Sequence, residues 1–252
     1  MHNRFAIPSA FLVAALCNGQ PTQSASSAAL VQRASEIQKL AKERNAEEKD
    51  GGTAVYAEMR RIVQEQVLET LSRSEKPEDV RETLKLVLGY PKFPDDPKYP
   101  FVFSSDLQGL KAFVAGYSLL GPEGKVAIDG FRKVGLVYEL VTETGAGLNG
   151  CNFVLEELDS PRQNETWFLG YGHAIGGSHY WVPIQIYSFD GYNFKELWAT
   201  DANHPPLEPQ IQISKEAVVI TYLRDVAREP VYRDTISLTV GGPIVSTITL
   251  PQ

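Results

Sequence analysis

Cysteine is scarce: the chain has two, Cys17 and Cys151. With a leader cleaved after Cys17, Cys151 stands alone and no intrachain disulfide can form. The fold must then rest on its core rather than on staples. Hydrophobic runs long enough for a membrane are also missing. The N-terminal apolar run Phe5–Leu16 spans twelve residues, too short for a hydrocarbon core about 30 Å thick. No transmembrane span is expected. A basic excess is missing as well. The net charge is −7, and residues 91–252 carry 12 Lys and Arg against 19 Asp and Glu. That balance argues against binding a nucleic-acid backbone or adsorbing to anionic membranes. There is no P-loop, no H-E-x-x-H helix and no G-x-S-x-G elbow. Gly145–Gly150 has the spacing of a dinucleotide loop, but Cys151–Leu158 after it reads as strand rather than helix. Glu156 and Glu157 alternate across that strand, so a glycosidase pair is unsupported. Cys151, at the start of that strand, reads as buried rather than catalytic.

The first residues read as a targeting segment. His2 and Arg4 form a weakly positive start, Phe5–Leu16 is the apolar stretch, and Ala15-Leu16-Cys17 offers small residues at a cleavage site. Residues 1–17 are thus a signal peptide, and a secreted or periplasmic protein is expected. Cys17 is also placed for lipidation, although Leu16 stands where a lipobox favours Gly or Ala.

Residues 18–90 read as helical. Pro21–Ala28 is a flexible start, and Leu30, Ala34, Ile37 and Ala41 then recur at helical spacing. Thr53 opens a second helix carrying Val55, Met59, Ile62, Val63, Val67 and Leu71. Pro77 fits the first turn of a third helix with Val80, Leu84 and Val87. Tyr90–Pro100 has four prolines in eleven residues and cannot continue a helix. Residues 91–100 therefore read as a connector, and 101–252 as a separate β-repeat domain.

The β region is organised around Glu165–Asp201. Val182, Ile184 and Ile186 share one face of a strand, and Tyr187 and Phe189 the other, so this strand is covered on both sides. Asp190-Gly191 is a two-residue hairpin signal. Phe194, Leu197 and Trp198 are expected to return against Trp167 and Phe168. Lys111–Tyr117, Thr166–Tyr171 and Ala217–Tyr222 align as one strand of an internal repeat, with hairpins at Asp129-Gly130, Asp190-Gly191 and Gly241-Gly242. Each unit has about four strands in about 50 residues. The fold class is mainly β with an N-terminal helical region: repeated antiparallel four-stranded meanders, propeller-like or a many-stranded sandwich.

The stretch Tyr187–Trp198 resembles the inner hairpin of FG-GAP or VCBS-type β-propeller blades, as found in exported bacterial proteins. In that family a strand, a D-G turn and an F-x-x-x-W strand recur. The calcium loop D-x-D-x-D-G is absent here, so the family's calcium binding is not carried over. Three units fall short of a closed propeller. An open array, a sandwich, or a ring completed by a second subunit as a homo-oligomer are the alternatives.

Chemistry-bearing residues collect between 172 and 204. His173, His179, Asp201 and His204 are the candidate metal ligands, since two imidazoles and a carboxylate suffice for zinc. Their spacing matches no known ligand motif, and no cofactor is otherwise expected. Tyr171, Tyr180, Trp181 and Tyr192 are the candidate binding aromatics. The expected function is that of an exported, non-catalytic β-repeat binding or scaffold protein for a glycan, peptide or envelope protein. The alternative is a metal-dependent hydrolase using the His/Asp cluster.

Overall fold

The apolar spacing yields three helices: α1 (Thr22–Ala46), α2 (Thr53–Leu71) and α3 (Pro77–Leu88). The computed structural model describes residues 22–46, 53–89, 98–119, 125–145, 147–148, 151–173, 181–224 and 230–250. The leader 1–17, most of the connector, His179 and Tyr180 lie outside these residues, as do the side chains of Cys151 and His173. Pro77 opens α3, followed by Glu78 and Asp79 at the positive end of the helix dipole. Gly89 closes α3 in the left-handed conformation, φ 66°. One boundary needs correcting. Pro21–Ala28 was expected to be a flexible start, yet the chain is helical from Thr22. Its alanines are the best helix formers and outweigh the neighbouring serines.

The β region forms three antiparallel four-stranded meanders. The first holds β1 (Phe101–Leu107), β2 (Leu110–Leu119), β3 (Lys125–Val134) and β4 (Val137–Thr144). The second holds β5 (Cys151–Leu158), β6 (Thr166–His173), β7 (Ile184–Phe189) and β8 (Phe194–Ala199). The third holds β9 (Leu207–Ile213), β10 (Ala217–Leu223), β11 (Val231–Thr239) and β12 (Gly242–Thr249). The aligned repeat segments are β2, β6 and β10, the second strand of each sheet. No barrel closes among the described strands.

Alternation along these strands assigns each face to a different core, and the cores order the layers. Phe113, Ala115 and Tyr117 of β2 pack with Met59, Val63, Val67 and Leu84 of the helices. Val114 faces the other way and joins Phe153, Leu155, Phe168 and Phe189 of the second sheet. Trp167 and Leu169 point away from that core and join Val218, Ile220 and Ile236 of the third sheet. The order is helices, first sheet, second sheet, third sheet. The middle strands β2, β6 and β7 are apolar on both faces because they are covered on both. The helices and the first sheet share one core, so packing runs across the composition boundary at 91–100.

Several turns depart from expectation. Asp129-Gly130 is not a hairpin: both residues lie inside β3, opposite Ala115 and Val114. The actual β3–β4 turn is Gly135-Leu136, with Gly135 at φ 62°. Gly130 is required for a close approach between sheets. A Cβ there would stand 2.8 Å from Phe189 Cε2 and 3.0 Å from Thr142 Cγ2. Gly130→Ala is therefore expected to cost about 1–3 kcal/mol by overpacking, read as a lowered urea midpoint. Asp190-Gly191 does turn the chain, but within a four-residue loop, since Phe189 pairs with Phe194. The Asp190 carboxylate accepts the N–H groups of Tyr192 at 2.8 Å and Asn193 at 2.7 Å, closing an Asx-type turn. The strand order also corrects the expected aromatic pairing. β7 lies between β6 and β8, so Trp198 is opposite Ile186 rather than against Trp167 or Phe168. Phe194 packs on Phe189, with ring centroids 4.8 Å apart.

Candidate functional site

The first and third sheets carry the same polar pair in the same register. In the first, Tyr117 on β2 donates to Asp129 Oδ2 on β3; Tyr117 is opposite Ala127, two residues before the aspartate. In the third, Tyr222 on β10 donates to Asp234 Oδ2 on β11 at 3.1 Å. Tyr222 is opposite Tyr232, again two residues before the aspartate. Each aspartate lies twelve residues after its tyrosine. The corresponding position of the second sheet, opposite Leu169, is Ile186.

The two pairs differ in what completes them. Asp129 is fully buried, and the Arg60 guanidinium of α2 reaches its Oδ1 through Nε at 2.9 Å and Nη2 at 2.6 Å. Gln64, one helical turn on, donates to the same oxygen at 3.1 Å. Burial still pushes the Asp129 carboxyl above its ordinary range, against the opposing pull of Arg60 and Tyr117. Burial also pushes the Tyr117 phenol well up, helped by the Asp129 charge beside it. Asp234 is 8% exposed and receives Tyr222 and, at 2.6 Å on Oδ1, the Thr247 hydroxyl. Among the described residues no cation lies within ion-pair distance of Asp234. In place of a helix it faces a cavity.

That cavity is about 480 Å³ and lies where the end of β8 meets the third sheet. Trp198, Asp201, His204, Tyr222, Arg224 and Asp234 are its main functional lining. β8 and the loop after it bring Trp198 and Asp201; β10 brings Tyr222 and Arg224; β11 and β12 bring Asp234, Val245 and Thr247. Arg224 is held at the side, its guanidinium carbon 4.1 Å from the Tyr232 ring centroid. Its hydrogen bond with Tyr222 raises its already high pKa. Burial, the largest influence on Tyr222, raises the phenol above its ordinary value. Thr200 is committed to the backbone, accepting from the Ile184 N–H at 3.0 Å.

Of the four candidate metal ligands, the described residues bring two together. His204 Nδ1 lies 3.1 Å from Asp201 Oδ2, with both side chains largely exposed. Asp201 also accepts the Asn203 N–H at 2.9 Å. That bond, and then His204, holds its carboxyl below the usual range. His173 ends β6, but its side chain, like His179, lies outside the described residues. Among the described residues no group of three potential metal ligands occurs. The three described candidate aromatics lie on different elements. Tyr171 is half-buried against the third core. Trp181 is half-buried and bridges Leu207. Tyr192 is exposed on the β7–β8 loop, with the Arg132 guanidinium of β3 stacked 4.1 Å from its ring centroid. Tyr180 lies outside the described residues.

Reading the repeat strand by strand missed Tyr222, Arg224, Asp234 and Thr247. A signal was present: extending the aligned segments by twelve residues places an aspartate after Tyr117 and after Tyr222. Trp198 was expected in a sheet core against Trp167 or Phe168; it packs against the core that contains Trp167, but it is only partly buried and also lines the cavity. Its replacement by alanine is expected to cost much less stability than Trp167→Ala. Trp167 is fully buried, and such a truncation costs about 3–5 kcal/mol. Paired urea titrations of the two variants measure the difference. No helix among the described residues is long and apolar enough to cross a membrane. In comparisons with known proteins, no family model matches the chain, and no match is found among curated proteins.

Proposed function

We propose that the protein is an exported, non-catalytic β-repeat binding module that holds its ligand in the cavity beside β8. The observation that carries this reading is the lining itself. An indole, a phenol, a guanidinium and two carboxylates converge on about 480 Å³, a lining of mostly polar residues whose apolar part is Trp198, Ala199, Pro206 and Val245; convergent polar groups in a concave site are a mark of ligand binding. The polar groups are already oriented by the protein. Tyr222 and Thr247 are committed to Asp234, and Thr200 to backbone. The three meanders and the likeness of Tyr187–Trp198 to FG-GAP or VCBS-type hairpins support a repeat-module role. The progression through Cys17 supports export, for which mass spectrometry should find a mature N-terminus near Asn18.

Glycans, peptides and envelope proteins are the ligand classes such a module would take. The test is a ligand screen read by calorimetry, which does not depend on a tryptophan. Hits are expected to lose binding in Trp198→Ala while its far-UV spectrum matches wild type. Hits that bind Trp198→Ala as well as wild type would contradict the cavity as the site.

The His204–Asp201 contact at the cavity favours a second reading, a metal-dependent hydrolase using His173, His179, Asp201 and His204. Elemental analysis of the purified protein decides it. Stoichiometric zinc that is lost in His204→Ala would replace the binding reading.

A further inference from the structure

We propose that the cavity of the third sheet is a socket for a guanidinium, supplied by an arginine side chain of a peptide or partner protein. The inference rests on the binding reading above and names its ligand chemistry. The molecule contains its own precedent. The Tyr117–Asp129 pair of the first sheet receives the planar fork of Arg60 from α2, and Arg60 Nη2 also donates to the carbonyls of Ile128 and Thr144, each at 3.2 Å. The Tyr222–Asp234 pair repeats that tyrosine, that aspartate and that cross-strand diagonal. Its carboxylate is nearly as buried, at 8% exposure against 0%, yet it has no ion-pair partner among the described residues. Buried carboxylates are stabilised by a charged, hydrogen-bonding partner. Where the first sheet is covered by a helix carrying that partner, the third opens onto about 480 Å³.

Charge in the cavity agrees. Asp201, which is in contact with His204, and Asp234 outnumber Arg224, and Arg224 is stacked on Tyr232, near enough to feel the Asp234 charge but not within ion-pair distance of it. Its guanidinium is thus held beside the carboxylate instead of on it. Trp198 also lines the cavity and supplies an indole on which a second guanidinium can stack. Lysine lacks the planar fork, so arginine is the better fit.

The test uses the full mature chain and three capped amino acids: N-acetyl-arginine amide, N-acetyl-lysine amide and N-acetyl-citrulline amide. Citrulline keeps the shape of arginine and removes its charge. Binding is followed by NMR, reading the Trp198 indole signal. The arginine probe is expected to shift that signal in a saturable way. Citrulline should bind about tenfold or more weakly, the loss expected when a charge-assisted hydrogen bond becomes neutral. Asp234→Asn should abolish the preference for arginine over citrulline. Because that variant removes a buried charge, its fold is checked by its NMR spectrum; the arginine–citrulline comparison on wild type stands without it. Equal binding of arginine and citrulline would overturn the guanidinium assignment. If neutral oligosaccharides shift the Trp198 indole while arginine does not, the guanidinium proposal falls and the cavity remains a binding site. If no probe or screened ligand shifts it, both fall. Free arginine serves as a fourth arm: weaker binding than the capped form supports a peptide source, and tighter binding overturns it in favour of a free metabolite.

Discussion

Arg60→Ala is expected to destabilise the protein by about 3–5 kcal/mol at neutral pH, the range for removing one partner of a buried ion pair. The Arg60 side chain is 19% exposed and the Asp129 side chain 0%, so little solvent is available to take over. What remains on Asp129 is the Tyr117 hydroxyl and the Gln64 amide. Burial already raises the Asp129 pKa in the wild type, and losing the guanidinium raises it further. A carboxyl whose folded pKa lies above its unfolded value contributes its full stability below the unfolded pKa, about 3.9. That contribution is lost as pH rises through the folded pKa. The deficit of Arg60→Ala should therefore be small near pH 4 and grow toward neutrality. Urea midpoints of variant and wild type across this range measure it. An equal deficit at both ends would mean that the pair is not held as ions.

Removing residues 1–97 should have a larger effect: the β sheets are expected not to accumulate as a soluble, cooperatively folding species. Met59, Val63, Val67, Val80 and Leu84 cover Val102, Phe113, Tyr117 and Phe131 of the first sheet. Uncovering that face leaves an apolar patch beyond the roughly 300–600 Å² that a soluble monomer usually exposes. It also leaves Asp129 without Arg60 and Gln64. The Glu75 side chain, between α2 and α3, would go too; it bridges Lys111 and Lys133 of the first sheet. Expression of residues 98–252 with measurement of solubility and unfolding is the test. A soluble monomer with a wild-type midpoint would show that the helices are an appendage rather than one wall of the core.

The parts of the fold legible in the sequence were those with a strong local period. α2 and α3 follow from their apolar spacing, from Thr53 at the start of one and from Pro77 at the start of the other. β7 was legible because Ile184 and Ile186 on one face and Tyr187 and Phe189 on the other leave no polar side. The three meanders followed from the similarity of β2, β6 and β10. Long-range chemistry was not legible. Asp129-Gly130 has the composition of a turn, yet the glycine admits Phe189 from another sheet and the aspartate meets Arg60 from a helix. No local window contains those partners. Trp198 was misplaced for a related reason: aromatic content does not say which strand lies between two others. The cavity combines residues from Trp198 to Thr247, and only Asp201 and His204 among them had been singled out as site residues. The Tyr–Asp spacing was within reach, but an isolated buried tyrosine and aspartate read as ordinary core satisfaction until both pairs are seen on the same diagonal.

The most direct test of the cavity as a guanidinium site is hydrogen exchange of the full chain with and without saturating N-acetyl-arginine amide. Slowed exchange confined to residues 198–206, 222–224 and 245–247, and clearly weaker with the citrulline probe at the same concentration, is the expected result. Unchanged exchange in these three segments, or protection centred on the loop at Tyr192 or on the helices, would contradict it.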